Sequence, residues 1–360
     1  MRDRAFWFAS AASASLLATT LAFSTTKPTW ALSSSTPTTL KAAAAAVGGE
    51  PQPRRTRTYQ TAVDKHYRTH GTLPLPNTVH AVLSSPQEDA LTNKKDRKNI
   101  LVIGDVHGCL QELRLLHQKA IVANGHCEFE HVILVGDLCN KGPDSLGVLH
   151  HVMLNAPRWR AVRGNHDNAG LQAACGDVRR QEKPKYAWIS GLQDEHVEFL
   201  SQLPYTLRIP RDTLGDVQDA VIVHAGLVPG VPLEQQTIEA MITLRQVQRE
   251  RTSGHYVAHG KKHGRDDTVE TATTPLYDEP IPWASVWKGP FHVIFGHDAK
   301  NGLQRYNKST GNHDNIVTAT GLDTGAVYGK QLTGMILPAQ TLVSVDSLEV
   351  YCPIKEAKNG

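Results

Sequence analysis

The sequence predicts an α/β fold in which two β-sheets pack as layers with helices outside, and three observations predict it. Short, continuous apolar runs rich in β-branched residues recur along the chain, as strands buried on both faces do. Segments with apolar residues at helical spacing fall between them, giving the alternation of βαβ units. The stretch carrying these runs, residues 99–352, is long enough to bury a full core as one domain.

Taken in order, the chain opens on a segment of a different kind. Residues 5–26 carry no charge, are rich in Ala, Ser and aliphatics, and follow Arg2 and Arg4. That pattern predicts a secretory signal or a membrane anchor, and the Ser/Thr/Ala composition continuing through Leu40 also suits an organelle transit peptide. The expected location is therefore the secretory pathway, a vacuole or another organelle, with the cytoplasm as the alternative if residues 1–40 are inert. Residues 41–98, rich in Ala, Pro and basic residues, read as a partly disordered linker.

The first strand, Asn99-Ile100-Leu101-Val102-Ile103, runs into Gly104-Asp105-Val106-His107-Gly108, and Leu110 to Val122 follows with helical spacing. The second, His131-Val132-Ile133-Leu134-Val135, runs into Gly136-Asp137-Leu138-Cys139-Asn140-Lys141. Gly142-Pro143-Asp144-Ser145 then opens a helix, with Pro placed for its first turn. A weaker strand, Arg158-Trp159-Arg160-Ala161-Val162, precedes Gly164-Asn165-His166-Asp167. Ala220 to Gly226 and Phe291 to His297 each end a short apolar run in a histidine. Arg249 to Thr274 reads as a polar surface insertion, and Thr341 to Tyr351 alternates as a terminal strand.

Each of these runs ends in ligand-type residues, which places them at the carboxyl ends of strands, where open α/β sheets hold their sites. A lone Gly-Asp or His after a strand is ordinarily a turn or a cap. Five such strand ends in one chain predict a metal site. Carboxylate, imidazole and amide donors together suit manganese, iron or zinc better than calcium, which prefers an all-oxygen shell. Two such ions about 3.5 to 4 Å apart can clamp a phosphoryl group, and Asp137 is placed to bridge them.

The motifs resemble those of calcineurin-like metallophosphoesterases and, within them, of the phosphoprotein-phosphatase superfamily. The second motif carries Lys141 where that superfamily usually has Arg, and the third ends in Asp167 instead of Glu. Gly296-His297-Asp298-Ala299-Lys300 with Leu303-Gln304, and Gly321-Leu322-Asp323-Thr324-Gly325-Ala326-Val327-Tyr328-Gly329 with Leu332-Thr333, are similar to blocks of the ApaH-like branch, apart from Ala326 where a Cys is common. The resemblance implies a metallophosphoesterase sandwich of two sheets flanked by helices. It implies a first metal on Asp105, His107 and Asp137, and a second on Asp137, Asn165, His224 and His297. His166 matches the general acid that assists attack by metal-bound hydroxide. Lys141 and Arg163 match phosphate-contacting positions, and Arg245 resembles a third.

Asn140 stands where protein phosphatases carry a second Asp that orients the histidine. A neutral amide supports an imidazolium less than a carboxylate does, which favours leaving groups of low pKa. The expected substrate is thus polyphosphate or a nucleotide polyphosphate, with a serine/threonine protein phosphatase as the alternative. A non-catalytic phosphate-binding module is the reading from another class, and the presence of every ligand type argues against it. Lys and Arg number 38 against 35 Asp and Glu, a net charge of +3, so no strong nucleic-acid footprint is present. The five cysteines, at 109, 127, 139, 175 and 352, show no paired spacing and predict no disulfide framework.

Overall fold

The computed structural model describes residues 61–83, 99–215, 218–259, 276–309 and 315–353. The amino-terminal segment at 1–40 lies outside them, as does most of the polar insertion, residues 260–275. No helix among the described residues is long and apolar enough to cross a membrane.

The strands, in chain order, are β1 (His80–Val82), β2 (Ile100–Ile103), β3 (His131–Leu134), β4 (Trp159–Ala161), β5 (Thr206–Ile209), β6 (Ala220–Val223), β7 (Gln246–Arg249), β8 (Tyr256–His259), β9 (Ile281–Pro282), β10 (His292–Phe295), β11 (Gln304–Ser309), β12 (Asn315–Gly321), β13 (Gln331–Leu337) and β14 (Thr341–Asp346). The longest helices are α1 (Ala62–His70), α2 (Leu110–Ala123), α3 (Ser145–Leu154), α4 (Asn165–Ala174) and, after a 3-10 segment at Pro184–Gly191, α5 (Asp194–Gln202).

Two sheets form the sandwich. One runs β14-β13-β2-β3-β4 and the other β1-β5-β6-β10-β12-β11. In the first, β2, β3 and β4 are parallel neighbours, so the three motif-bearing carboxyl ends lie side by side. In the second, β6, β10 and β12 are parallel neighbours. Alternation along β2 explains why a continuous apolar run is required there: Ile100 and Val102 join Ile133, Ile222, Ile294 and Met335 between the sheets, while Leu101 and Ile103 pack with Leu113 and Leu116 of α2 on the outer face. Both faces are covered, and all four residues are buried. A third apolar cluster, including Val221, Val293, Met241, Trp283 and Trp287, covers the outside of the other sheet.

Several expectations are corrected in detail. The region 41–98 is in part built into the fold: Thr61 and Asp64 form a capping box that starts α1, Val63 joins the core, and β1 pairs in parallel with β5. Pro143 precedes the third helix instead of sitting in its first turn; Asp144 is the N-cap, accepting from the Gly147 N–H at 2.7 Å. The start of the polar insertion is structured, since β7 and β8 form an antiparallel pair joined by β9 into a small third sheet. The terminal strand stops at Asp346, short of Tyr351. None of the five cysteines is in a disulfide.

Candidate metal centre

The strand ends of both sheets converge on Asp137. Its Oδ1 lies 3.4 Å from His224 Nε2 and its Oδ2 lies 3.4 Å from His107 Nε2. The tautomers follow from the backbone: His224 Nδ1 donates to the Val135 carbonyl at 3.1 Å and His107 Nδ1 donates to the Cys139 carbonyl at 3.2 Å. Burial pushes both imidazoles toward the neutral form, His224 down to about 4, with the Lys141 charge adding to the effect on His107. Each Nε2 therefore presents a lone pair to an Asp137 carboxyl oxygen.

The second cluster repeats the pattern. Asn165 Oδ1 lies 2.9 Å from His224 Nε2 and 3.0 Å from His297 Nδ1, and the two imidazole nitrogens are 3.1 Å apart. His297 Nε2 is buried without a partner. Asp137, His224 and His297 form one compact group of ligand-type atoms, and His107, Asp137 and His166 form another. So many acceptors facing one another fit a cation, which is the test the donor set has to pass. Asp105 stands beside these groups, with both carboxylate oxygens 3.1 Å from the His297 N–H. Burial raises its pKa well above the carboxylate range, and the neighbouring charges of Asp323 and Asp137 raise it further. Asp137 is pushed up to about 7 by burial, against the opposing pull of Lys141 and of the His166 N–H, which donates to its Oδ1 at 2.8 Å. That amide belongs to the first turn of α4, whose positive end faces the carboxylate.

Backbone strain is concentrated here. Among the described residues, five of the seven non-glycine positions with positive φ are His107, Asp137, Asn140, Lys141 and His297. Left-handed conformations cost on the order of 1 to 3 kcal/mol each and persist where their surroundings over-determine them, typically at functional sites. The glycines serve close approach: a Cβ on Gly164 would enter the Asp137 carboxylate, and one on Gly296 would enter that of Asp105.

The remaining expected residues fall into three positions. Lys141 Nζ lies 2.9 Å from His107 Nε2 and 5.1 Å from the centre of the Tyr328 ring, inside the site. Arg245 sits at the rim, half exposed, donating to the His297 carbonyl at 2.8 Å with Asp298 Oδ1 3.7 Å away. Arg163 departs from expectation. Its side chain is fully buried, with the guanidinium donating to Tyr205 Oη at 3.0 Å and to the Ser201 carbonyl and stacked 4.9 Å over the Tyr205 ring. It has no surface to offer a phosphate in this conformation, because the loop before α4 turns it into the body of the domain. Arg163→Met is expected to lower stability by about 2 to 4 kcal/mol through the unpaired partners it leaves, read from the denaturant midpoint, with KM of the folded fraction within about twofold of wild type. A tenfold rise in KM at unchanged stability would return Arg163 to the substrate.

Three residues complete the site beyond those expected. Asp323, buried and with its pKa raised by burial, follows β12 as the other ligand-type residues follow their strands; the run before it is broken by Thr318 and Thr320, which hides the pattern. Asp167 ties two motifs together, Oδ1 accepting from the Leu138 N–H at 2.8 Å and Oδ2 from that of Gly164 at 2.9 Å. Trp188, in a 3-10 segment with no motif, donates to Asn140 Oδ1 at 2.7 Å.

Comparison with known proteins agrees with this geometry. The calcineurin-like phosphoesterase family matches residues 98–316. A bis(5'-nucleosyl)-tetraphosphatase of the asymmetrical type, PrpE, from Oceanobacillus iheyensis is 25% identical over 273 residues, 69% of this chain and 93% of that protein. A symmetrical bis(5'-nucleosyl)-tetraphosphatase from Janthinobacterium sp. is 27% identical over 291 residues, 70% of this chain and 95% of that protein. A crystal structure provisionally named a diadenosine tetraphosphatase superposes with a TM-score of 0.53 at 26% identity, covering 76% of this chain and 99% of that one. With the family matched over more than half of its length and two sheets delivering the ligand-type residues to one point, this chain belongs to the calcineurin-like phosphoesterase family and is a phosphoester hydrolase.

Proposed function

We propose that this hydrolase cleaves phosphoric anhydride bonds in nucleotide polyphosphates or polyphosphate, with Asp105, His107 and Asp137 holding one divalent ion and Asp137, Asn165, His224 and His297 the other. The observation that carries the reading is the set of opposed lone pairs around Asp137, His224, Asn165 and His297. Two ions there, manganese first and iron or zinc as alternatives, would neutralise phosphoryl oxygens and lower the pKa of an attacking water.

The protein groups do the rest. Lys141 caps the His107 lone pair in the present arrangement; its flexible stem lets the ammonium withdraw and meet a phosphoryl oxygen as a point charge. Arg245 offers its guanidinium from the rim. His166, driven down to about 2 by burial and then by the charges of Lys141 and Lys185, is held neutral and would face the leaving group as the family's general acid does. A neutral imidazole amid positive charge suits an anionic leaving group of low pKa, the phosphate end of an anhydride, better than an alkoxide. The relatives named above include symmetrical and asymmetrical tetraphosphatases, which supports the substrate class without selecting the bond cleaved.

A side-by-side assay with added manganese compares diadenosine tetraphosphate, polyphosphate, capped RNA and a phosphothreonine peptide. The anhydride substrates are expected to lead by more than about tenfold in kcat/KM, roughly 1.4 kcal/mol in transition-state binding. Preference for the peptide by the same margin would favour the protein-phosphatase alternative.

A further inference from the structure

We propose that Trp188 is a positioning residue: by engaging the Asn140 carbonyl it turns the amide NH2 toward His166 and selects the tautomer of that ring that carries its proton on Nε2. The proposal rests on the anhydride reading above and names the device that makes His166 suit it.

The assignment follows from what each group can donate. An indole N–H is a donor only, so the Asn140 atom 2.7 Å from Trp188 Nε1 is the carbonyl oxygen. The opposite end agrees, because Asn140 Nδ2 lies 2.9 Å from the His166 carbonyl, an acceptor only. One amide hydrogen goes to that carbonyl, and the second faces His166 Nδ1 at 3.4 Å, a long contact that biases the ring electrostatically. A donor facing Nδ1 disfavours a proton there, which leaves it on Nε2. Among the described residues Nε2 has no hydrogen-bond partner, and the ring meets His107 edge-on with centroids 4.9 Å apart at the mouth of the centre. Trp188 is itself fixed: it packs against the core beside α4, where a Cβ on Gly170 would come within 2.9 Å of its Cζ2.

The chemistry follows. In anhydride hydrolysis the P–O bond breaks and its electron pair stays on the departing phosphate oxygen, so no proton must be delivered; Nε2–H donates a hydrogen bond to that oxygen and keeps its proton. An alkyl phosphate leaves as an alkoxide that must be protonated. A neutral ring giving up that proton would become an imidazolate, which an amide donor at Nδ1 supports too weakly to make the step effective.

The test uses the zinc-loaded, 15N-histidine-labelled protein, in which the long-range ring correlations of His166, identified by their loss in His166→Gln, report which nitrogen bears the proton. Wild type is expected to show the Nε2–H form. Trp188→Phe keeps the ring packing and removes the donor; it should mix the tautomers and lower kcat on diadenosine tetraphosphate by about five- to tenfold, with KM within twofold. Asn140→Asp, which accepts at Nδ1, should move the proton to Nδ1 and raise alkyl phosphate hydrolysis relative to anhydride hydrolysis by at least tenfold. An unchanged wild-type-like tautomer in both variants would overturn the proposal, as would a Trp188→Phe loss shared equally by kcat and melting temperature. The ring spectrum does not depend on turnover, so a wild-type enzyme that spared anhydrides would sink the substrate reading and leave the tautomer assignment standing on its own result.

Discussion

Asp137→Asn is expected to lower kcat/KM by on the order of 10³-fold or more, about 4 kcal/mol of transition-state stabilisation, while leaving the metal-free protein as stable as wild type or more so. The two halves of the expectation have one cause. Asp137 is a buried carboxylate between the lone pairs of His107 and His224, supported by a single short backbone donor, the His166 N–H. Without metal its charge is a cost to the fold, as its pKa of about 7 shows, and a neutral amide of the same shape removes that cost. Among the described residues it is the side chain common to both clusters of ligand-type atoms, so in the proposed centre its loss should reduce bound manganese from two ions to at most one by elemental analysis. Activity assays, metal counting and thermal melts of the apo form check it together. Full activity, or a collapse of the apo melting temperature, would show that Asp137 supports the fold and not the centre.

The extent to which the sequence reveals this site differs by residue for physical reasons. Ligands that follow apolar strands are visible because a strand buried on both faces must be continuously apolar, and the chain must break that run where a ligand begins. Asp105, Asp137, His224 and His297 all meet that condition. Asp323 follows a strand whose apolar run is interrupted by the buried Thr318 and Thr320, which blurs the signal. Arg163 shows the opposite failure: its place in the motif is plain, but motif position does not record which way a long side chain turns, and Tyr205 and Ser201, about forty residues on, decide it. Trp188 is invisible for the same reason, since its contact with Asn140 spans 48 residues and arises only from how the 3-10 segment packs on α4. The helix α1 was hidden by the composition around it, although the Thr61 and Asp64 capping pair is a local signal that can be read.

Metal addition is expected to raise the melting temperature strongly at pH 7.5 and far less at pH 5.5, and the sign follows from the same buried carboxylates. A carboxyl whose folded pKa lies above its unfolded value, about 3.9 for Asp, costs the apo protein stability as pH rises from the unfolded pKa through the folded one, here a window closing near 7 for Asp137. Asp105 and Asp323, raised in the same direction, add to the effect. The imidazoles act oppositely: His224 and His166, driven down to about 4 and about 2, are held neutral, and the stability they contribute is present above the unfolded pKa near 6.5 and is lost as pH falls below it. A divalent ion requires the carboxylates charged and the imidazoles neutral, so below pH 7 it must displace the Asp137 proton and its affinity falls by up to about tenfold per pH unit, roughly 1.4 kcal/mol. At a free metal concentration 100 times the dissociation constant the folded state gains about 2.7 kcal/mol; two units lower in pH most of that gain is gone. Differential scanning fluorimetry with and without manganese across pH 5.5 to 7.5 measures it directly. A metal-induced shift independent of pH would mean that the ion binds outside the Asp137 cluster, and Asp137→Asn, which removes that one proton, should weaken the pH dependence of whatever shift remains, leaving the part carried by Asp105 and Asp323.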